Sequence, residues 1–165
     1  MTALIGKSPK LGRGFTVIEL LVVLAVMSIL VTMALPLARI VSQREREHEL
    51  KRALLEIRSA IDDYQRVMSA GNSGVLEGVS VCPPSLTALT QLTTDPRPGT
   101  NGQQIRFLRA VPRDPFADPH VPAEQTWGQR SYLSEASKPT PGSDVYDVRS
   151  LSTQQALDGT LLKDW

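Results

Sequence analysis

From Val17 to Ala38 the chain reads VIELLVVLAVMSILVTMALPLA, an apolar run holding a single ionisable side chain, Glu19. At about 1.5 Å per residue, a helix of roughly 22 residues spans about 30 Å, the hydrocarbon thickness of a bilayer. A carboxylate at the bilayer centre costs about 2.5–3.5 kcal/mol, and less near an interface. Its place just inside the run therefore calls for a partner.

What precedes the run sets its direction. Residues 1–14, MTALIGKSPKLGRG, carry Lys7, Lys10 and Arg13 and no acid. The positive-inside rule then keeps this leader cytoplasmic and sends the C-terminus outward. A secretory signal would be cleaved beyond the run, near the small residues Ala34 and Ala38. A plain signal anchor would not be cleaved at all. Neither reading gives Glu19 a purpose.

A third reading does. The stretch GFTVIELLVVLAVMSILVTMALP, Gly14 to Pro36, resembles the prepilin signal of type IV pilins and pseudopilins. The resemblance implies cleavage between Gly14 and Phe15 by a prepilin peptidase on the cytoplasmic face, followed by N-methylation of Phe15. It further implies that Glu19 pairs with the N-terminal amine of a neighbouring subunit while the helices bundle. A paired ion in lipid is tolerable where a lone one is expensive. Pro36, which removes a backbone hydrogen bond, is expected to loosen or kink the helix near the end of the span.

Past the proline, Leu50, Leu54, Ile57, Ile61, Tyr64 and Met68 recur at three- and four-residue steps, one apolar stripe on a helix. The predicted helix runs from Phe15 to about Ala70, and its second half packs on a soluble domain. Ahead of the stripe, Gln43–Glu49 (QREREHE) is polar on every side. It reads as a solvated helix held by neighbouring opposite charges, as a subunit–subunit contact, or as both. Turn chemistry at Ala70–Gly74 (AGNSG) ends the helix.

Of the 12 prolines, all but Pro9 and Pro36 fall between Pro83 and Pro141, which excludes long regular elements there. Ser85–Leu92 reads as a short helix capped by Ser85, with Leu86, Leu89 and Leu92 inward. Strands are expected at Arg130–Leu133 and Val145–Ser150, with a weak third at Leu161–Trp165. The fold class is α+β: a long N-terminal helix on a small antiparallel sheet with long loops. Residues 1–14 form a removable leader, 15–38 a membrane and assembly half, and 39–165 an external globular domain.

RFLRAVPRDPF, a following tryptophan, YDVRS and the ending ALDGTLLKDW together resemble the major pseudopilin of type II secretion, the G class. The resemblance implies a structural subunit, not an enzyme, that polymerises from the bacterial inner membrane into a short periplasmic filament and drives protein secretion. The partners so implied are further copies of the chain, minor pseudopilins, the prepilin peptidase, an inner-membrane assembly platform and membrane lipid. A type IV pilin or a membrane-anchored periplasmic binding module is the alternative. Many G-class members also bind calcium before the C-terminus. Here only Asp158 and Asp164 stand as candidate ligands, with Asp144 and Asp147 upstream, and the family's usual Gly-Ala-Asp-Gly run is missing. Calcium wants six to eight oxygens, and Asp158-Gly159 reads as a tight turn ahead of a ligand.

Other classes find no footing. A net charge of +1 with 5% aromatics offers no basic, stacking surface for nucleic acid. The single cysteine, Cys82, excludes an intrachain disulfide. It reads as a partly buried thiol or a reactive one, with His48 and His120 far off in sequence. A core outside the cytosol must then be held by packing or by a metal. Asp114-Pro115 and Asp118-Pro119 read as turns. No Ser–His–Asp order, phosphate loop or Cys/His metal spacing appears.

Overall fold

The computed structural model describes residues 14–71 and 80–165. The leader proper and the second half of the AGNSG turn lie outside these residues. The chain divides into two compact units, Met1–Ile40 and Val41–Trp165.

Helix α1 runs Val17–Gly71, 55 residues, and its bounds include Pro36. Its start follows from Thr16, whose hydroxyl accepts the Glu19 N–H at 3.2 Å, the bond an N-cap makes to the third helical residue. In the first unit the apolar side chains from Val17 to Val31 are all at least half exposed. This helix is long and apolar enough to cross a membrane.

In the second unit the predicted stripe is the core. Leu50, Leu54, Ile57 and Ile61 are buried, with Ala53 and Ala60 between them letting the neighbouring chain approach. Against this face pack Leu86, Leu89, Leu108, Trp127, Val145, Val148, Ala156 and Leu162, with Tyr64 and Phe107 at the edge. Those two rings meet edge to face at 5.2 Å.

The β-structure is two small sheets rather than one. Strands β1 (Thr93–Thr94) and β2 (Gln104–Ile105) form an antiparallel hairpin. Its turn needs left-handed backbone at Gly99, Asn101 and Gly102, which glycine and asparagine supply without strain. Strands β3 (Trp127–Arg130) and β4 (Asp147–Ser150) pair antiparallel, Trp127 opposite Ser150 and Arg130 opposite Asp147.

Several expectations shift. β3 lies three residues earlier than predicted, because Trp127 is buried while Ser131–Ser134 closes a turn. The third strand is absent among the described residues. Leu162–Asp164 is instead a 3-10 turn that drops Leu162 into the core. Gln155 and Leu161 make one isolated bridge beside it. The helix predicted at Ser85–Leu92 is a single 3-10 turn, Thr87–Thr90. Ser85 Oγ does accept the Ala88 N–H at 3.2 Å, and Leu86 and Leu89 point inward. Leu92 does not: Gln91 is extended, the helical spacing ends there, and Leu92 is exposed.

Candidate functional site

The N-terminal site is built from a non-helical approach, Gly14–Thr16, and the first turn of α1. Gly14 lies in open space, and a Cβ added there would meet no described atom within 4 Å. Nor does its backbone need a positive φ. Nothing described in this chain demands a glycine at position 14. Phe15, next to it, is 83% exposed.

Glu19 sits in the first turn, three residues after the Thr16 cap. The order Thr-x-x-Glu before an apolar run is the signature of a helix start. Sequence reasoning passed over Thr16, although this spacing could have found it. The positive end of the helix dipole favours a carboxylate at that position, so the fold supplies Glu19 with a local partner in addition to any other.

The second unit disposes of the other candidates. Of Gln43–Glu49, the residues Arg44, Glu45, Arg46, His48 and Glu49 are exposed and form no ion pair among the described residues. Gln43 and Glu47 are different. Glu47 is buried, and its Oε1 accepts the Leu157 N–H at 2.8 Å and the Gln43 amide at 3.0 Å. The stretch is thus not solvated on every side.

The acids that would form the implied calcium site are already engaged or stand apart. Asp158 Oδ1 is taken by the Thr160 N–H and hydroxyl, at 2.9 and 2.6 Å, and Gly159 turns with φ +90°. Those two bonds from Thr160, with help from the charge of Lys51, hold the Asp158 carboxyl below its ordinary value against a small opposing effect of burial. Asp164 is exposed at the end of its 3-10 turn. Asp147 serves Arg58 Nε at 2.9 Å, and Asp144 accepts from the Ser131 hydroxyl and the Tyr132 N–H. Among the described residues no three His, Cys, Asp or Glu side chains gather closely enough to hold a metal ion. These residues do not fit calcium.

Asp114 and Asp118 are turn residues, as expected: their Oδ1 atoms accept the N–H groups of Phe116 and His120. Asp114 does more, since its buried Oδ2 also accepts the Ser150 hydroxyl at 2.6 Å. Cys82 is half-buried, and Gln65 Nε2 donates to its sulfur at 3.2 Å. Burial, assisted by the Asp144 charge and opposed by the Ser80 and Gln65 hydrogen bonds, pushes the thiol above its ordinary value.

Comparison with known families bears on the N-terminal segment. Residues 10–35 match the family model for the prokaryotic N-terminal methylation motif. This match covers Gly14, Phe15, Thr16 and Glu19 and most of the apolar run. The chain therefore carries a type IV pilin-like prepilin signal, and with the exposed apolar helix this points to membrane anchoring. The motif is a substrate for processing and belongs to structural rather than enzymatic proteins. Comparison with curated proteins and with solved structures gave no match.

Proposed function

We propose that this chain is a structural subunit of a periplasmic pseudopilus, extracted from the inner membrane and stacked to push cargo out through the type II secretion system. The observation that carries this reading is the methylation motif, which extends into the apolar first part of α1, a stretch with no buried side chain among those described. The leader stays in the cytoplasm, residues 15–38 reside in lipid and then in the filament bundle, and residues 39–165 face the periplasm. A prepilin peptidase cuts between Gly14 and Phe15, and Phe15 is methylated. The space around Gly14 supports this, because among the described residues nothing lies within 4 Å of a Cβ placed there, which leaves it free to enter another protein's cleft.

Once Phe15 is the N-terminus, its ammonium lies four residues from a carboxylate. Glu19 neutralises the amine of the neighbouring copy, so each subunit enters the bundle with its charge matched. The globular domain then contributes contacts to further copies, to minor pseudopilins and to the assembly platform.

Mass spectrometry of the mature protein tests the first step. The expected chain runs from Phe15 to Trp165 with one methyl group on Phe15. An N-terminus after Ala34 or Ala38 would make the segment a secretory signal and end the filament reading. Deleting the gene should stop export of a periplasmic cargo to the medium. Intact export combined with loss of surface fibres would make the chain an adhesive pilus subunit instead.

A further inference from the structure

The segment Gln154–Trp165 has no regular strand; Ala156, Leu162 and Trp165 tie it to the core, and much of the remaining hold is a set of local hydrogen bonds. The Gln154 carbonyl accepts the Leu162 N–H, the Ala156 carbonyl the Gly159 N–H, and the Thr160 carbonyl the Ala156 N–H, at 2.8–3.0 Å. The Gln155 side chain donates to the Gly159 carbonyl at 2.7 Å. Trp165 Nε1 donates to the Thr160 hydroxyl at 2.7 Å. A calcium ion here would have to gather carbonyl and carboxylate oxygens, and the carbonyls of Gln154, Ala156, Gly159 and Thr160 and Asp158 Oδ1 already have donors.

The rest of the support comes from α1. Gln43 Nε2 donates to the Gln155 carbonyl at 3.1 Å. Glu47 Oε1 accepts the Leu157 N–H at 2.8 Å. Lys51 Nζ stands 4.2 Å from the centre of the Trp165 ring, a cation–π distance. Gln43, Glu47 and Lys51 are spaced four apart and so share one helix face. An amide, a carboxylate and an ammonium thus meet, in order, a carbonyl, an N–H and an indole.

We propose that this face is a built-in latch: Gln43, Glu47 and Lys51 hold the C-terminal segment where a metal ion would otherwise hold it, and the domain folds without a divalent cation. Chemically the arrangement inverts a calcium site. A cation collects oxygens around a positive centre, whereas here the central group is a buried carboxylate that collects N–H donors. Fixed positive charge comes from Lys51, which needs no supply from the medium. The latch lies wholly within the second unit, so it stands or falls independently of the assembly reading.

The test uses the full-length chain in detergent micelles, with thermal unfolding followed by near-UV circular dichroism. A ligand that binds only the folded form raises the melting temperature by mass action. The expected result is no shift, within about 1 °C, between chelator and millimolar calcium, while Glu47→Leu lowers the midpoint by about 3–6 °C in both. Glu47→Gln, which retains an acceptor oxygen, is expected to lose less and guards against a variant that fails to fold. Asp158→Asn keeps the oxygen that Thr160 needs and should be nearly silent. A midpoint that falls on chelation and returns with calcium overturns the proposal. So does a Glu47→Leu midpoint equal to that of the unaltered chain, or an Asp158→Asn variant that unfolds early only when calcium is present.

Discussion

Thr16 and Glu19 give the first turn of α1 two separable roles. Next to the capped helix start, the Glu19 carboxylate gains about 0.3–1 kcal/mol from the helix dipole. That contribution is internal and cannot govern contacts between molecules. Charge matching with a neighbour's Phe15 amine would be far more demanding, because losing one partner leaves an ammonium buried in a low-dielectric bundle. Glu19→Ala is therefore expected to insert and to be cleaved normally, since the leader and Gly14 are untouched, but to accumulate as processed, unassembled protein. Shearing cells for filaments and assaying secretion checks this. Normal filaments would leave the dipole as the only role of Glu19.

At the scale of elements, the loops are held by single buried polar residues. Asp114 joins the turn at Pro115 to β4 through Ser150, with the Phe116 N–H on its other oxygen. Asp114→Ala would leave that N–H and hydroxyl unpaired, at about 1–3 kcal/mol for such a loss. Denaturant unfolding should show a lower midpoint with unchanged slope. The helix was legible from its spacing, because Leu50, Leu54, Ile57 and Ile61 need only a period to be found. So were the Asp-Pro turns, whose chemistry is local. The third strand was not. Whether Leu161–Trp165 extends or coils depends on Leu162 reaching the core and on Thr160 receiving the Trp165 indole N–H. The first is set by distant core residues, and the second is a side-chain bond across five residues that strand spacing does not reveal. Leu92 failed for a related reason: a helical spacing carries no sign of where a 3-10 turn stops. In the N-terminal site the residues of the motif were readable, while the cap at Thr16 was readable and missed. The Gln43–Glu47 face was hidden because polar residues that meet a loop look like polar residues that meet water.

The whole molecule should be sensitive to acid in a defined window. The Arg97 guanidinium holds the buried Asp95 carboxyl below its ordinary value. For Asp144, burial pushes upward but is outweighed by bonds from the Ser131 and Ser80 hydroxyls and the Tyr132 N–H. Asp158 is lowered as well, by Thr160. In each case the unfolded aspartate, near pKa 3.9, takes up its proton first. The stability these groups contribute is thus complete above about pH 4 and is lost as the pH falls through their lower native values. Melting temperatures should be flat around neutrality and decline steeply below about pH 4. A decline that begins well above that window would show that these carboxylates do not govern the acid sensitivity.

The two tryptophans sit in unlike places, and this makes the chain its own optical reporter. Trp127 is 3% exposed, with its indole N–H on the Pro112 carbonyl at 2.8 Å. Trp165 is half-buried beneath the Lys51 ammonium. A shielded indole emits toward the blue and a hydrated one toward the red. Fluorescence can therefore separate release of the C-terminal segment from collapse of the core in one titration, without any attached dye.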